Sequence, residues 1–136
     1  MSAVVDFVEE LKEKYDGVIS FKKICADEGI LAVKTRLEDG VNAFSVADKN
    51  HKVIVLNERL SYWERRDWAF HELWHVLKSA AKSKKDESRA DLFAALCRIP
   101  AIKEDDTLDS ICERNNVSPK LAKVRMEFER KRLMVG

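Results

Sequence analysis

Glycine and proline are scarce in this chain, with four glycines and two prolines among 136 residues. Gly17, Gly29 and Gly40 divide the first third and Pro100 and Pro119 divide the last; nothing between Val41 and Ile99 is either residue. That stretch therefore has room for long regular elements. Cysteine is equally sparse. Cys25, Cys97 and Cys112 are odd in number and widely spaced, which makes neither a disulfide framework nor a CxxC metal knuckle and points to a reducing cytosol. No apolar run approaches the length of a membrane-spanning helix. Asp6, Glu9 and Glu10 stand where a signal peptide needs apolar residues, so the expected location is cytoplasmic. Net charge is also nearly absent: 25 basic residues against 24 acidic ones, with an ordinary apolar share of 46%, argue against a wholly disordered chain. A chain of this size buries about two-thirds of its unfolded surface, enough for one domain over residues 1–136.

What is present is mostly helical. Val4, Val8, Leu11 and Tyr15 form one helical stripe over residues 3–15. Ser20 caps a short helix that Gly29 stops. Segments 30–34, 42–46 and 52–56 have strand character, and the last, KVIVL, is the richest in β-branched residues. Their short links predict a small antiparallel three-stranded sheet. Ser61 opens a helix through about residue 80, a basic loop follows at 82–85, and a helix over 86–98 ends before Pro100. A helical pair over 105–132, with a helix-turn-helix look, completes a helix-dominated α+β domain.

The chemistry is concentrated at His71-Glu72-Leu73-Trp74-His75, an HExxH motif. Residues i and i+4 of a helix are about 40° apart around its axis and one turn apart in height, so both imidazoles can reach one zinc ion. Glu72 flanks that face, placed to act as general base rather than as a ligand. Leu73, Leu77 and Phe70 point the other way, toward the core. Catalytic zinc takes three protein ligands. Glu87, 12 positions after His75 and on the next helix, is the best third candidate, although the adjacent Asp86 could serve. Asp91 is one turn beyond Glu87 and can accept the outer N–H of a ligand imidazole. Asp67 and His51 are expected to be structural, and the cysteines to be small core residues.

Two stretches, VIVLNERLSYWERRDWAFHELWHVL and ESRADLFAALCRIP, resemble the ImmA/IrrE family of zinc metallopeptidases of bacteria and their mobile elements. Ile54, Leu56 and Asn57 match its I-x-[VL]-N strand, and Arg65 and Arg66 its basic pair. His71, Glu72 and His75 match HELGH, and Glu87, Ala90, Phe93, Ala94 and Pro100 match E-x-x-A-N-x-F-A-x-x-L-x-x-P. The tail NNVSPKLAKVRMEF is similar to the family's ending. Trp74 replaces a usual glycine and Phe70 a usual alanine, adding bulk around the metal helix; Asp91 replaces a usual asparagine. The resemblance implies a zincin-like fold and a Zn2+-dependent peptidase that cleaves or otherwise relieves a helix-turn-helix repressor, switching on prophage, mobile-element or stress genes. The alternative is a DNA-binding or repressor-binding regulatory module without proteolysis, because residues 107–126 place Leu108, Ile111, Val117, Leu121 and Val124 as the core of a helix pair. From Ser118 onward there are six basic residues against two acidic ones. Lys120, Lys123, Arg125 and Arg130 of that tail are the candidate docking residues for a partner protein, and the weak basic field favours packing or docking over direct nucleic-acid binding.

Overall fold

Ser2 accepts the N–H of Val5 at 3.2 Å and starts α1 (Ala3–Lys14), whose buried stripe is Val4, Val8 and Leu11. Ser20 likewise caps α2 (Phe21–Glu28), and Gly29, at φ 67°, ends it in a left-handed conformation that side chains resist. These elements belong to a computed structural model that describes residues 2–78 and 83–135. Three strands follow: β1 (Leu31–Thr35), β2 (Ala43–Ala47) and β3 (Lys52–Asn57). The remaining helices are α3 (Tyr62–Lys78), α4 (Lys84–Arg98), α5 (Leu108–Asn115) and α6 (Pro119–Val135). The fold is therefore α+β and helix-dominated. The expected extension of the third helix to residue 80, and Lys82 of the expected basic loop, lie outside the described residues. Lys84 and Lys85 are already helical, because Ser83 caps α4 by accepting the N–H of Asp86. No described helix is long and apolar enough to cross a membrane.

The sheet corrects one expectation: it is mixed rather than antiparallel. β3 lies between the other two strands, antiparallel to β2 and parallel to β1. Short links predict sequential neighbours, but burial decides the order. Ile54, Val55 and Leu56 are all buried in β3, whereas β1 and β2 are largely exposed. A continuous apolar run suits the central position, and the sparser strands take the edges. Asn57 fixes the crossover. Its Nδ2 donates to the Val41 carbonyl at 2.8 Å, and its Oδ1 accepts from the N–H groups of Arg59 and Leu37. A tight turn at Asp48, whose carboxylate accepts from the N–H groups of Asn50 and His51, closes the β2–β3 hairpin.

α3 packs against β2 and β3 on one side and against α4 on the other, and α4 in turn meets α1 and α6. Ile54, Leu73, Phe93 and Ile111 are fully buried in this core, each contributing about 1.5–3 kcal/mol of burial. Asp67 ties the C-terminal pair to α3. It accepts from Arg98 Nε at 3.1 Å and from the N–H of Ser118, at the start of α6, at 2.9 Å. Its structural role agrees with expectation. Both members of the Asp67–Arg98 pair have side chains less than a tenth exposed. Asp67→Ala is therefore expected to cost about 3–5 kcal/mol, since it strands a buried guanidinium; chemical denaturation would measure this.

Candidate metal centre

Two neighbouring helices build the site. α3 carries His71, Glu72 and His75, each 4% exposed, and the two imidazole rings lie 5.1 Å apart. α4 presents Asp86 and Glu87 in its first turn, where the helix dipole favours carboxylates, and Asp91 one turn beyond. Leu73 and Phe70 face the core, as the helical spacing predicts.

The ring nitrogens sort into two sets. His71 Nε2 lies 2.8 Å from Glu87 Oε2, and His75 Nε2 lies 2.8 Å from Glu87 Oε1, so one carboxylate meets both imidazoles. On the outer side, His71 Nδ1 is 2.8 Å from Asp91 Oδ1 and His75 Nδ1 is 2.8 Å from Asp86 Oδ2. The His71 contacts are aligned as hydrogen bonds. The His75 contacts are at ion-pair distance but off that alignment. Among the described residues, both His75 ring nitrogens and Asp86 Oδ2 are buried polar atoms without a hydrogen bond. An unmet buried polar atom costs about 1–3 kcal/mol, a cost that a ligand for the imidazole would remove.

That donor set fits a divalent metal ion. Two imidazole nitrogens and a carboxylate face one point, which is the chemistry of a three-ligand zinc site. Donor atoms of His71, Glu72 and His75 also lie within 4.8 Å of one another. Two carboxylates are thus within reach, and their surroundings separate them. Glu87 sits between the imidazoles, whereas Glu72 Oε1 accepts a 2.7 Å hydrogen bond from Ser45 Oγ of β2. Ser45 is a site residue that sequence reasoning missed, because a contact across 27 residues leaves no local signal.

Burial works against charge on His71, yet the hydrogen bonds that Asp91 and Glu87 accept from it outweigh this and the imidazole pKa is raised. Burial would also lift the Asp91 carboxyl, but the His71 imidazole and the nearby Lys120 hold it below the usual carboxylate value. Trp68 covers His71, with ring centres 4.8 Å apart, and Lys120 Nζ lies 5.2 Å from the centre of the Trp68 ring. Beside them opens a cleft of about 520 Å³, walled by Trp63 and Trp68 of α3 and by Lys120 and Leu121 of α6.

The bulk of Trp74 and Phe70 goes elsewhere. Trp74 packs against Phe7 and Phe93, and Phe70 against Phe21 and Phe93, so both fill the core. His51 is exposed in the β2–β3 turn, 3.3 Å from Asp48. Cys25 is buried and Cys97 and Cys112 are half-buried, all as free thiols. Of the candidate docking residues, Lys120, Lys123 and Arg130 are exposed. Arg125 is not. It is 5% exposed and donates to the Ile99 carbonyl at 2.8 Å, so it braces the end of α4 and offers nothing to a partner.

No curated protein matches the chain. A family profile does: the IrrE N-terminal-like domain, Peptidase_M78, matches residues 25–127, from α2 into α6 and across both site helices. On that match, covering well over half of its length, the chain belongs to the IrrE N-terminal-like peptidase family.

Proposed function

We propose that this protein is a cytoplasmic zinc-dependent endopeptidase that cuts a helix-turn-helix repressor and so derepresses prophage, mobile-element or stress genes. The observation that carries the reading is the meeting of His71, His75 and Glu87 at one point, with Glu72 held alongside. His71, His75 and Glu87 would hold the ion, and Asp91 would orient His71 through its outer nitrogen. Bound zinc supplies a Lewis acid for the scissile carbonyl and lowers the pKa of a water molecule toward neutrality. Glu72 takes a proton from the attacking water as the new C–O bond forms. It then returns that proton to the leaving amine as the C–N bond breaks. Ser45 keeps the Glu72 carboxylate from rotating away.

Repressor recognition would rest on the exposed basic side chains Lys120, Lys123 and Arg130 of α6, of which Lys120 lines the cleft at His71. Docking of that kind to an acidic surface weakens as salt rises. The rival reading, a DNA-binding helix pair, needs the N-terminal residues of the second helix free to enter a groove. In α6 the backbone at that end is engaged, because the Ser118 N–H is bonded to the buried Asp67 of α3. This supports the peptidase reading.

The test mixes the zinc-loaded protein with the repressor encoded beside its gene, on labelled operator DNA. The expected result is loss of the repressor–operator band together with discrete repressor fragments, both prevented by a chelator. Release without fragments would favour a regulator that works by binding alone. Specific binding of the operator by this chain without repressor would overturn the proposal.

A further inference from the structure

The geometry points to a second positioning carboxylate. Asp86, held by the Trp74 indole, orients His75 toward the metal, so the Trp74–Asp86 pair is part of the machinery that sets metal affinity. This inference rests on the metal-binding reading above, but not on peptidase activity. Asp86 is 1% exposed, among the most buried side chains in the described protein. Its Oδ1 accepts from Trp74 Nε1 at 3.1 Å, and its Oδ2 lies 2.8 Å from His75 Nδ1. Trp74 is itself wedged between Phe7 and Phe93, with ring centres 6.1 and 5.6 Å away, which leaves the indole little freedom. Asp86 is fixed from the backbone side as well, since its N–H is held by the Ser83 cap.

A buried acid beside an imidazole is weak evidence of a stabilising role, because apolar residues of similar size often do as well. What this acid supplies is direction. A carboxylate near Nδ1 can only accept, so it selects the tautomer with the proton on Nδ1 and leaves the Nε2 lone pair facing Glu87. Asp91 Oδ1 lies at the same 2.8 Å from His71 Nδ1, there aligned as a hydrogen bond, so α4 brings one carboxylate to the outer nitrogen of each histidine. Trp74 is what makes the acid at position 86 workable. A residue without a side-chain donor there would leave Asp86 Oδ1 buried and without the side-chain hydrogen bond it accepts among the described residues.

The experiment measures zinc affinity of the full chain by competition with a chromogenic chelator, alongside the visible spectrum of the cobalt(II)-loaded protein. Asp86→Asn is expected to weaken zinc binding about 10–100-fold and to shift the cobalt spectrum. Trp74→Phe keeps the aromatic packing and removes only the N–H donor. It should retain the far-ultraviolet circular dichroism of the wild type and weaken zinc binding by a smaller factor. The two effects should not add, so the double variant should bind zinc as Asp86→Asn does. Wild-type zinc affinity and cobalt spectrum in Asp86→Asn, or in Trp74→Phe should Asp86→Asn not fold, would overturn the pairing while leaving the metal site intact. A wild-type chain that takes up no zinc would overturn both readings.

Discussion

Glu72→Gln is expected to abolish cleavage while leaving the fold and the bound zinc in place. Glutamine keeps the shape of the side chain and can still accept from Ser45 Oγ, but it cannot take a proton from water. General-base catalysis is commonly worth about 10²–10⁴ in rate, and loss of the carboxylate beside the ligand pair should cost at least that much. Cleavage rate on the repressor and zinc content of the same preparation would be measured together. Full activity in a zinc-loaded Glu72→Gln protein would refute the mechanism; loss of both activity and zinc would make Glu72 a ligand instead.

Replacing His71 and His75 together by alanine should reduce zinc from near one ion per chain to near none. Each imidazole supplies a donor, and the remaining carboxylate cannot hold the ion alone. Because the ligands come from α3 and α4, the ion also links two helices, and its binding stabilises the folded state by mass action. At free zinc of about 100 times Kd this amounts to about 2.7 kcal/mol. The wild-type melting temperature should therefore fall when a strong chelator is added, and that of the double variant should not move. A double variant that keeps stoichiometric zinc would place the site elsewhere.

Much of this was legible in the residues. The i and i+4 spacing of His71 and His75 fixes their shared face on any helix, and a carboxylate 12 residues on suits a helical hairpin. The cap at Ser20 marks a real helix start, because its hydroxyl satisfies an N–H group that is otherwise unpaired; Ser83 and Thr107 cap α4 and α5 in the same way, although the sequence pattern puts those starts at about 86 and 105. Other features depend on how elements meet. Asp86 and Glu87 are adjacent acids in one helical turn, and only the placement of α4 against α3 decides which faces the pair of imidazoles and which turns to Trp74. Ser45 reaches Glu72 only because β2 lies beside α3. The sheet is mixed where short links suggest an antiparallel one, and the unbroken apolar run of β3 was the signal for its central place. Arg125 also had one: it stands four residues after Leu121, on the stripe that α6 buries.

The Asp67 node has a consequence for the timing of synthesis. Every proposed ligand has been synthesised once α4 is made, yet Asp67 waits for Ser118, and Trp68 and Asp91 wait for Lys120. Residues near the end of the chain thus supply one wall of the cleft and the last bond of a buried charge pair. A growing chain would carry its histidines and carboxylates early but gain the wall beside them only when α6 folds back. Protein truncated after α4 should for the same reason be a poor stand-in for the whole. The helical pair is a late-arriving part of the site rather than an appendage to it.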